Sequence, residues 1–275
     1  MKKYVAALIG LMVMATYASA YTVDGSLSDW GVTPFSDWVP DSSTANYVVE
    51  DYDGTNKEPG PPGYPDTPYA TEEFDIEAMY FDDFYDESLG GMAYFASVVS
   101  MGPDGLKDNN GNVEYFIGDM AIDPTNDGVF EYGIKVTGPD KGLVYYKPQW
   151  HDATDIKPFS PAWFECNGPD SQVMGTADVS YQNAGVKDYP VGCFGTYGCL
   201  DNYIIEIGVK KAYIGLPEQG ETNRLHITQN CGNDDIDLEI TWDYQLPEFI
   251  SAAVPFLVLL LVPAAAYAFV TRRKD

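Results

Sequence analysis

Asp123, Thr125 and Asp127, followed by Gly128, form the pattern in this chain that comes nearest to a chemical site. Oxygen-bearing side chains at alternate positions before a glycine open the loops that wrap a calcium ion. The acid that closes such a loop is missing, because position 134 is Ile, and Glu131 is the nearest substitute. Asp127-Gly128 is also a strong turn dipeptide, so the same residues suit a plain hairpin turn. Calcium is therefore the cofactor this chain most readily suggests, with Asp123, Thr125, Asp127 and Glu131 as its ligands. A second acidic turn, Asn233-Asp234-Asp235, follows a strand containing His226. The other histidine, His151, stands in a different segment, and no Gly-x-Ser-x-Gly occurs. No Ser/His/Asp set is visible, so the expectation is a protein that is not an enzyme. The abundant carboxylates could always supply a glycosidase-like pair, which keeps a secreted hydrolase as a third reading.

Four cysteines, Cys166, Cys193, Cys199 and Cys231, stand between the two ends of the chain. An even number in an oxidising compartment predicts two disulfides and argues against zinc. If the strand starting near Tyr203 pairs with the strand ending near Thr228, Cys199 meets Cys231 and Cys166 is left for Cys193. The rival joins Cys193 to Cys199, which leaves Cys166 for Cys231. Exposed Tyr and Trp could stack on sugar rings. The chain has 21 Tyr and 5 Trp, and it contains no Asn-x-Ser/Thr acceptor for N-linked sugar.

The elements that carry these residues read as strands. Segments 74–81, 93–99, 113–122, 129–136, 143–146, 203–209, 225–228 and 236–242 are rich in Val, Ile, Tyr and Phe and bounded by Gly, Pro, Asp or Asn. The spacing predicts an all-β fold, a mainly antiparallel β-sandwich of jelly-roll type with about eight to twelve strands. Segments 51–68 and 149–191 read as loops, the second a long excursion pinned by a disulfide.

Both ends read differently. Met1-Lys2-Lys3, an apolar run to Met14 and the exit Ala18-Ser19-Ala20 fit a cleavable secretory signal over residues 1–20. Phe249 to Val270 is free of charge and precedes Thr271-Arg272-Arg273-Lys274-Asp275. That pattern predicts one C-terminal transmembrane helix with a basic cytoplasmic tail. Residues 21–246 are then extracellular. Without Lys2, Lys3, Arg272, Arg273, Lys274 and Asp275, the 15 basic and 42 acidic residues become 10 and 41, a net charge of −31. Such a domain repels nucleic acid and attracts cations.

Val23-Asp24-Gly25-Ser26-Leu27-Ser28-Asp29-Trp30 resembles the opening strand of β-sandwiches related to family 9 carbohydrate-binding modules and DOMON domains. The hairpin over 118–133 and the segment 226–235 resemble those of archaeal surface proteins of this kind. Pro247-Glu248-Phe249, the apolar run and Arg272-Arg273-Lys274 resemble the PEF-type C-terminal sorting signal of archaea. The resemblance implies a cell-surface protein whose tail is removed by an archaeosortase-type enzyme. It implies glycan or envelope protein as partners, beside the membrane itself. No Met or His matches a haem ligand, so no haem is expected. The function expected is a non-catalytic, surface-anchored module with a structural or binding role in the envelope, stabilised by calcium, with carbohydrate binding as the alternative. In its own host the mature protein should lack Arg272 to Asp275. Intact-mass analysis checks this, and recovery of the complete tail would leave an ordinary membrane anchor.

Overall fold

The computed structural model describes residues 21–34, 38–41, 45–50, 74–84, 91–107, 110–153, 160–184, 201–215, 220–232 and 234–242. The signal segment, Cys193, Cys199, Pro247, Glu248, Phe249, the C-terminal apolar run and Arg272, Arg273 and Lys274 lie outside them. Among the described residues no helix is long and apolar enough to cross a membrane.

The described fold is all-β. Its strands are Asn46–Val49 (β1), Ile76–Phe84 (β2), Met92–Val99 (β3), Leu106–Lys107 (β4), Val113–Tyr115 (β5), Met120–Asp123 (β6), Tyr132–Ile134 (β7) and Leu143–Tyr146 (β8). They continue with Gln149–Asp152 (β9), Pro161–Glu165 (β10), Gln172–Thr176 (β11), Asp178–Asn183 (β12), Tyr203–Lys210 (β13), Thr222–Thr228 (β14) and Asp235–Thr241 (β15). A five-stranded sheet has the order β1-β2-β3-β13-β12, and a six-stranded sheet the order β11-β8-β7-β6-β14-β15. Every pairing is antiparallel.

The two sheets share one core. Phe81, Phe95, Ile205 and Ile207 from the first meet Ile122, Ile134, Val144, Leu225, Ile227 and Leu238 from the second. Strand alternation explains this, because residues i and i+2 lie on one face. Each fully buried side chain of this kind contributes about 1.5–3 kcal/mol.

Both outer faces of the sandwich are also covered. The described residues 21–34 and 38–41 lie over the five-stranded sheet, and Leu27, Trp30, Val32 and Trp38 pack on Ala78, Tyr80, Tyr94, Ala96, Val98 and Ile204. The segment expected as an opening strand is a series of turns instead. Its backbone bonds are local: Trp30 N–H and Val32 N–H both donate to the Leu27 carbonyl. Its anchor is Glu206 on β13, whose carboxylate accepts from Asp24 N–H (2.9 Å), Gly25 N–H (2.6 Å) and the Trp30 indole (2.8 Å). Gly25 has φ +84 and lies so close to Gln182 that a side chain there has no room.

The six-stranded sheet is covered by the two-stranded ribbon of β9 and β10. Phe164 from this ribbon lies on Gly133, where a Cβ would meet the ring, and meets Tyr145 and Trp150 edge-on. Segment 149–191, expected as one long loop, thus carries β9, β10, β11 and β12. Strands of a surface ribbon and of sheet edges bury too little to show alternation; β11 is half-buried to exposed throughout. The turn-rich composition of that segment therefore outweighs its strand signals.

The hairpin expected over 118–133 is present, with Met120 opposite Ile134 and Ile122 opposite Tyr132. The pairing expected between the strands at 203 and 225 is absent. β13 pairs with β3 and β12, whereas β14 pairs with β6 and β15, so the chain crosses from one sheet to the other. The core requires it, since both strands bury alternate residues between the sheets. The start of β13 and the end of β14 still reach the same end of the sandwich by another route. Tyr203 is opposite Val99, Val99 is opposite Ile76, and the Ile76 N–H donates to Asp234 at 2.7 Å. Cys166 and Cys231 are not bridged to each other, and no disulfide occurs among the described residues. Cys199 leads into β13 and Cys231 follows β14, so a Cys199–Cys231 bridge should appear in a non-reducing peptide map. A Cys193–Cys199 peptide would show that this shared end does not set the pairing.

Candidate functional site

With Leu225, Ile227, Ile236, Leu238 and Ile240 turned into the core, alternation turns Arg224, His226, Asp235, Asp237 and Glu239 outward together. His226 is opposite Asp237, and Arg224 is opposite Asp123 of β6. His226 is nevertheless 2% exposed. Phe130 covers its ring at a centroid distance of 5.4 Å, and the Phe130 carbonyl is held by the Trp150 indole at 2.8 Å.

Two side chains hydrogen-bond this histidine. Its Nδ1 lies 2.9 Å from Asp237 Oδ1, and its Nε2 lies 2.8 Å from the Ser160 hydroxyl. Arg224 closes on the same carboxylate through Nε (2.9 Å) and Nη2 (2.5 Å). Burial pushes the Asp237 carboxyl up, but hydrogen bonds from His226 and Arg224 and their attraction outweigh it and hold the carboxyl at about 2. Asp237 is therefore ionised and can only accept. In a neutral His226 ring the proton then sits on Nδ1, facing Asp237, and Nε2 accepts from Ser160 O–H.

No Ser/His/Asp set was legible in the sequence, yet Ser160, His226 and Asp237 come together here. The alternation around His226 and Asp237 was a usable signal. Ser160 was not, because it arrives on the ribbon from a segment read as loop. Its position is fixed by Ala153 N–H donating to its carbonyl at 2.9 Å and by the Asp119 N–H bond to Ala162 at 2.8 Å.

The predicted calcium turn has a different internal chemistry from a cage. Asp123, fully buried, accepts from Thr125 N–H (3.1 Å), Thr125 hydroxyl (3.4 Å), Asp127 N–H (3.3 Å) and Gly128 N–H (2.7 Å). Asp127 accepts from Val129 N–H at 2.9 Å. Asn126 and Gly128 take φ +53 and +89, as a tight turn requires. Glu131 lies near both acids. Burial raises its carboxyl and repulsion by Asp123 and Asp127 adds to that, against the pull of its own backbone N–H and of Lys147, and its Oε2 is buried without a hydrogen bond. Among the described residues, the metal-capable trio of His, Cys, Asp or Glu with ligand atoms within 4.8 Å of one another is His226, Asp235 and Asp237. Asp123, Asp127 and Glu131 do not form such a trio.

A pocket of about 210 Å³ opens on the other side of the ribbon, lined by Phe116, Trp163, Lys135, Asp119, Gly138 and Asp140 among others. The Trp163 ring is held by His151, stacked at 3.9 Å and 9°, and Phe116 meets it edge-on at 6.4 Å. At its floor Lys135 donates to Asp119 at 2.8 Å and lies over the Phe164 ring at 4.2 Å. Burial raises the Asp119 carboxyl, against the pull of Lys135 and the N–H groups of Phe164 and Val136.

Acid tests the Asp237 geometry. Its carboxyl lies lower in the folded chain than its usual 3.8, so the stability it contributes is complete above about 4 and lost as pH falls toward 2. Asp237→Asn should flatten the fall in urea midpoint between pH 4 and pH 2, and an unchanged slope would contradict the assignment. In comparisons with known proteins, no family model, no curated protein and no solved structure matches this chain.

Proposed function

We propose that the chain is a surface-anchored extracellular β-sandwich module with a structural or binding role in the cell envelope, a role that needs no turnover. The signal-like start, the C-terminal apolar run with its basic tail and the Pro247-Glu248-Phe249 motif support export, anchoring and processing by an archaeosortase-type enzyme. The observation that carries the envelope reading is Glu131, a carboxyl with one buried oxygen lacking any hydrogen bond, repelled by Asp123 and Asp127 on a strongly acidic chain. A divalent ion in the medium relieves that repulsion. Calcium is the natural one, since it takes carboxylate, hydroxyl and carbonyl oxygens at irregular geometry. Calcium at a hundredfold excess over its dissociation constant stabilises a folded chain by about 2.7 kcal/mol. Calcium should therefore raise the melting temperature more than sodium at matched ionic strength, and Asp127→Ala or Glu131→Gln should remove most of the difference. Equal effects of the two salts would reduce the turn to screening and turn geometry.

The second reading, carbohydrate binding, is favoured by the Trp163 pocket. An aromatic ring held at a fixed angle beside charged and backbone polar groups is a surface on which a sugar ring stacks while its hydroxyls find partners. A glycan array on the full chain should select neutral or acidic sugars, and Trp163→Ala should weaken binding at least tenfold with the melting temperature little changed. Binding that survives Trp163→Ala would place the ligand elsewhere.

A further inference from the structure

We infer that Ser160 is an activated nucleophile, a site that takes an acyl group from an activated ester. The inference does not rest on the envelope reading. Three observations support it. The Ser160 hydroxyl lies 2.8 Å from His226 Nε2, and His226 Nδ1 lies 2.9 Å from Asp237 Oδ1, so nucleophile, base and orienting acid stand in hydrogen-bonded order. The acceptor-only carboxylate draws the Nδ1 proton of His226, so in the neutral ring Nε2 is the base facing Ser160. The exposure runs in the useful direction: Ser160 is only partly buried, whereas His226 beneath it is 2% exposed and shielded by Phe130. A base kept from water beneath a partly exposed serine is the arrangement an incoming electrophile needs.

In the step, Ser160 Oγ attacks the acyl carbon and its proton passes to His226 Nε2. The Oγ–C bond forms, the bond from carbon to the leaving oxygen breaks, and the proton is given to the departing alkoxide. The product is an acylated Ser160 and a free alcohol. Arg224 shares the charge of Asp237 with the imidazolium that forms during the step. That sharing weakens the relay relative to a carboxylate serving histidine alone, and it selects well-activated donors. Because the chemistry belongs to the serine, a covalent acyl adduct is a sufficient outcome, with no need for water to remove it.

The test uses the full chain in detergent with a fluorophosphonate probe, which reacts at such serines with loss of fluoride. Peptide mapping should place the label at Ser160, and labelling of the folded chain should be about a hundredfold faster than of the same chain unfolded in urea, the lower end of what a positioned base supplies. With p-nitrophenyl acetate, nitrophenolate release above the buffer rate should disappear in Ser160→Ala, a substitution that removes one partly exposed hydroxyl and leaves the melting temperature within a few degrees. His226→Gln should slow phosphonylation by a similar hundredfold. Label spread over other serines, or equal rates in folded and unfolded chain, would overturn the assignment and leave Ser160 as a tie between the ribbon and the sheet. The wild-type mapping decides the matter even where the histidine variant fails to fold.

Discussion

The register of β14 against β15 is the constraint from which the chemistry of the outer face follows. Leu225 is opposite Leu238 and Ile227 is opposite Ile236, and all four are buried between the sheets. Once they turn inward, Arg224, His226, Asp235 and Asp237 have no other side to occupy. A slip of one residue would exchange the two sets, burying three charges and exposing the apolar ones. The polar cluster is thus held by hydrophobic pairs behind it, and its hydrogen bonds refine a placement already made. Ser160 is the exception, since the β9–β10 ribbon delivers it independently of that register.

Covering two sheet faces in so acidic a chain forces charges under apolar layers. Glu206 under the N-terminal turns, Asp119 with Lys135 under Phe164, and Asp83 with Lys211 beside Trp242 are three such cases. A buried pair offsets its desolvation only when geometry is good and the remaining lone pairs are used. Glu206 meets that condition through three donors on a segment that would otherwise have little to hold it. Its value is specificity of docking, since an apolar residue at 206 would leave two backbone N–H groups and an indole N–H without partners.

The strands that face the shared core were legible because alternation and β-branched content are strong wherever one face is buried. β2, β3, β8, β13, β14 and β15 fall within a few residues of their sequence-derived bounds. β9 to β12 were not legible. Their partners lie across a surface ribbon or at sheet edges, so their apolar residues, such as Trp163 and Phe164, are placed by contacts distant in the chain. The opening segment misled for a related reason: Leu27 and Trp30 are apolar for a docking role, with their backbone bonds closed locally. The acidic hairpin was legible as a turn, because Asp127-Gly128 acts through local dihedrals alone. The Ser160–His226–Asp237 grouping joins residues 66 and 11 positions apart through two different sheets. Only one of those links is a strand pairing that a sequence pattern carries.

The position of β15 has a mechanical meaning. It is an edge strand, its last described neighbour is Trp242, and the chain continues from there toward its C-terminus. Tension entering from that side meets β15 at Thr241, opposite Thr222, and would peel its hydrogen bonds from β14 in sequence rather than shear them together. Trp242 stands directly before this zipper. It is fully buried, edge-on to Phe81 at 4.8 Å and with the Lys211 ammonium 5.4 Å from its ring. The indole therefore acts as a stop that load must extract from the core before the first strand pair opens.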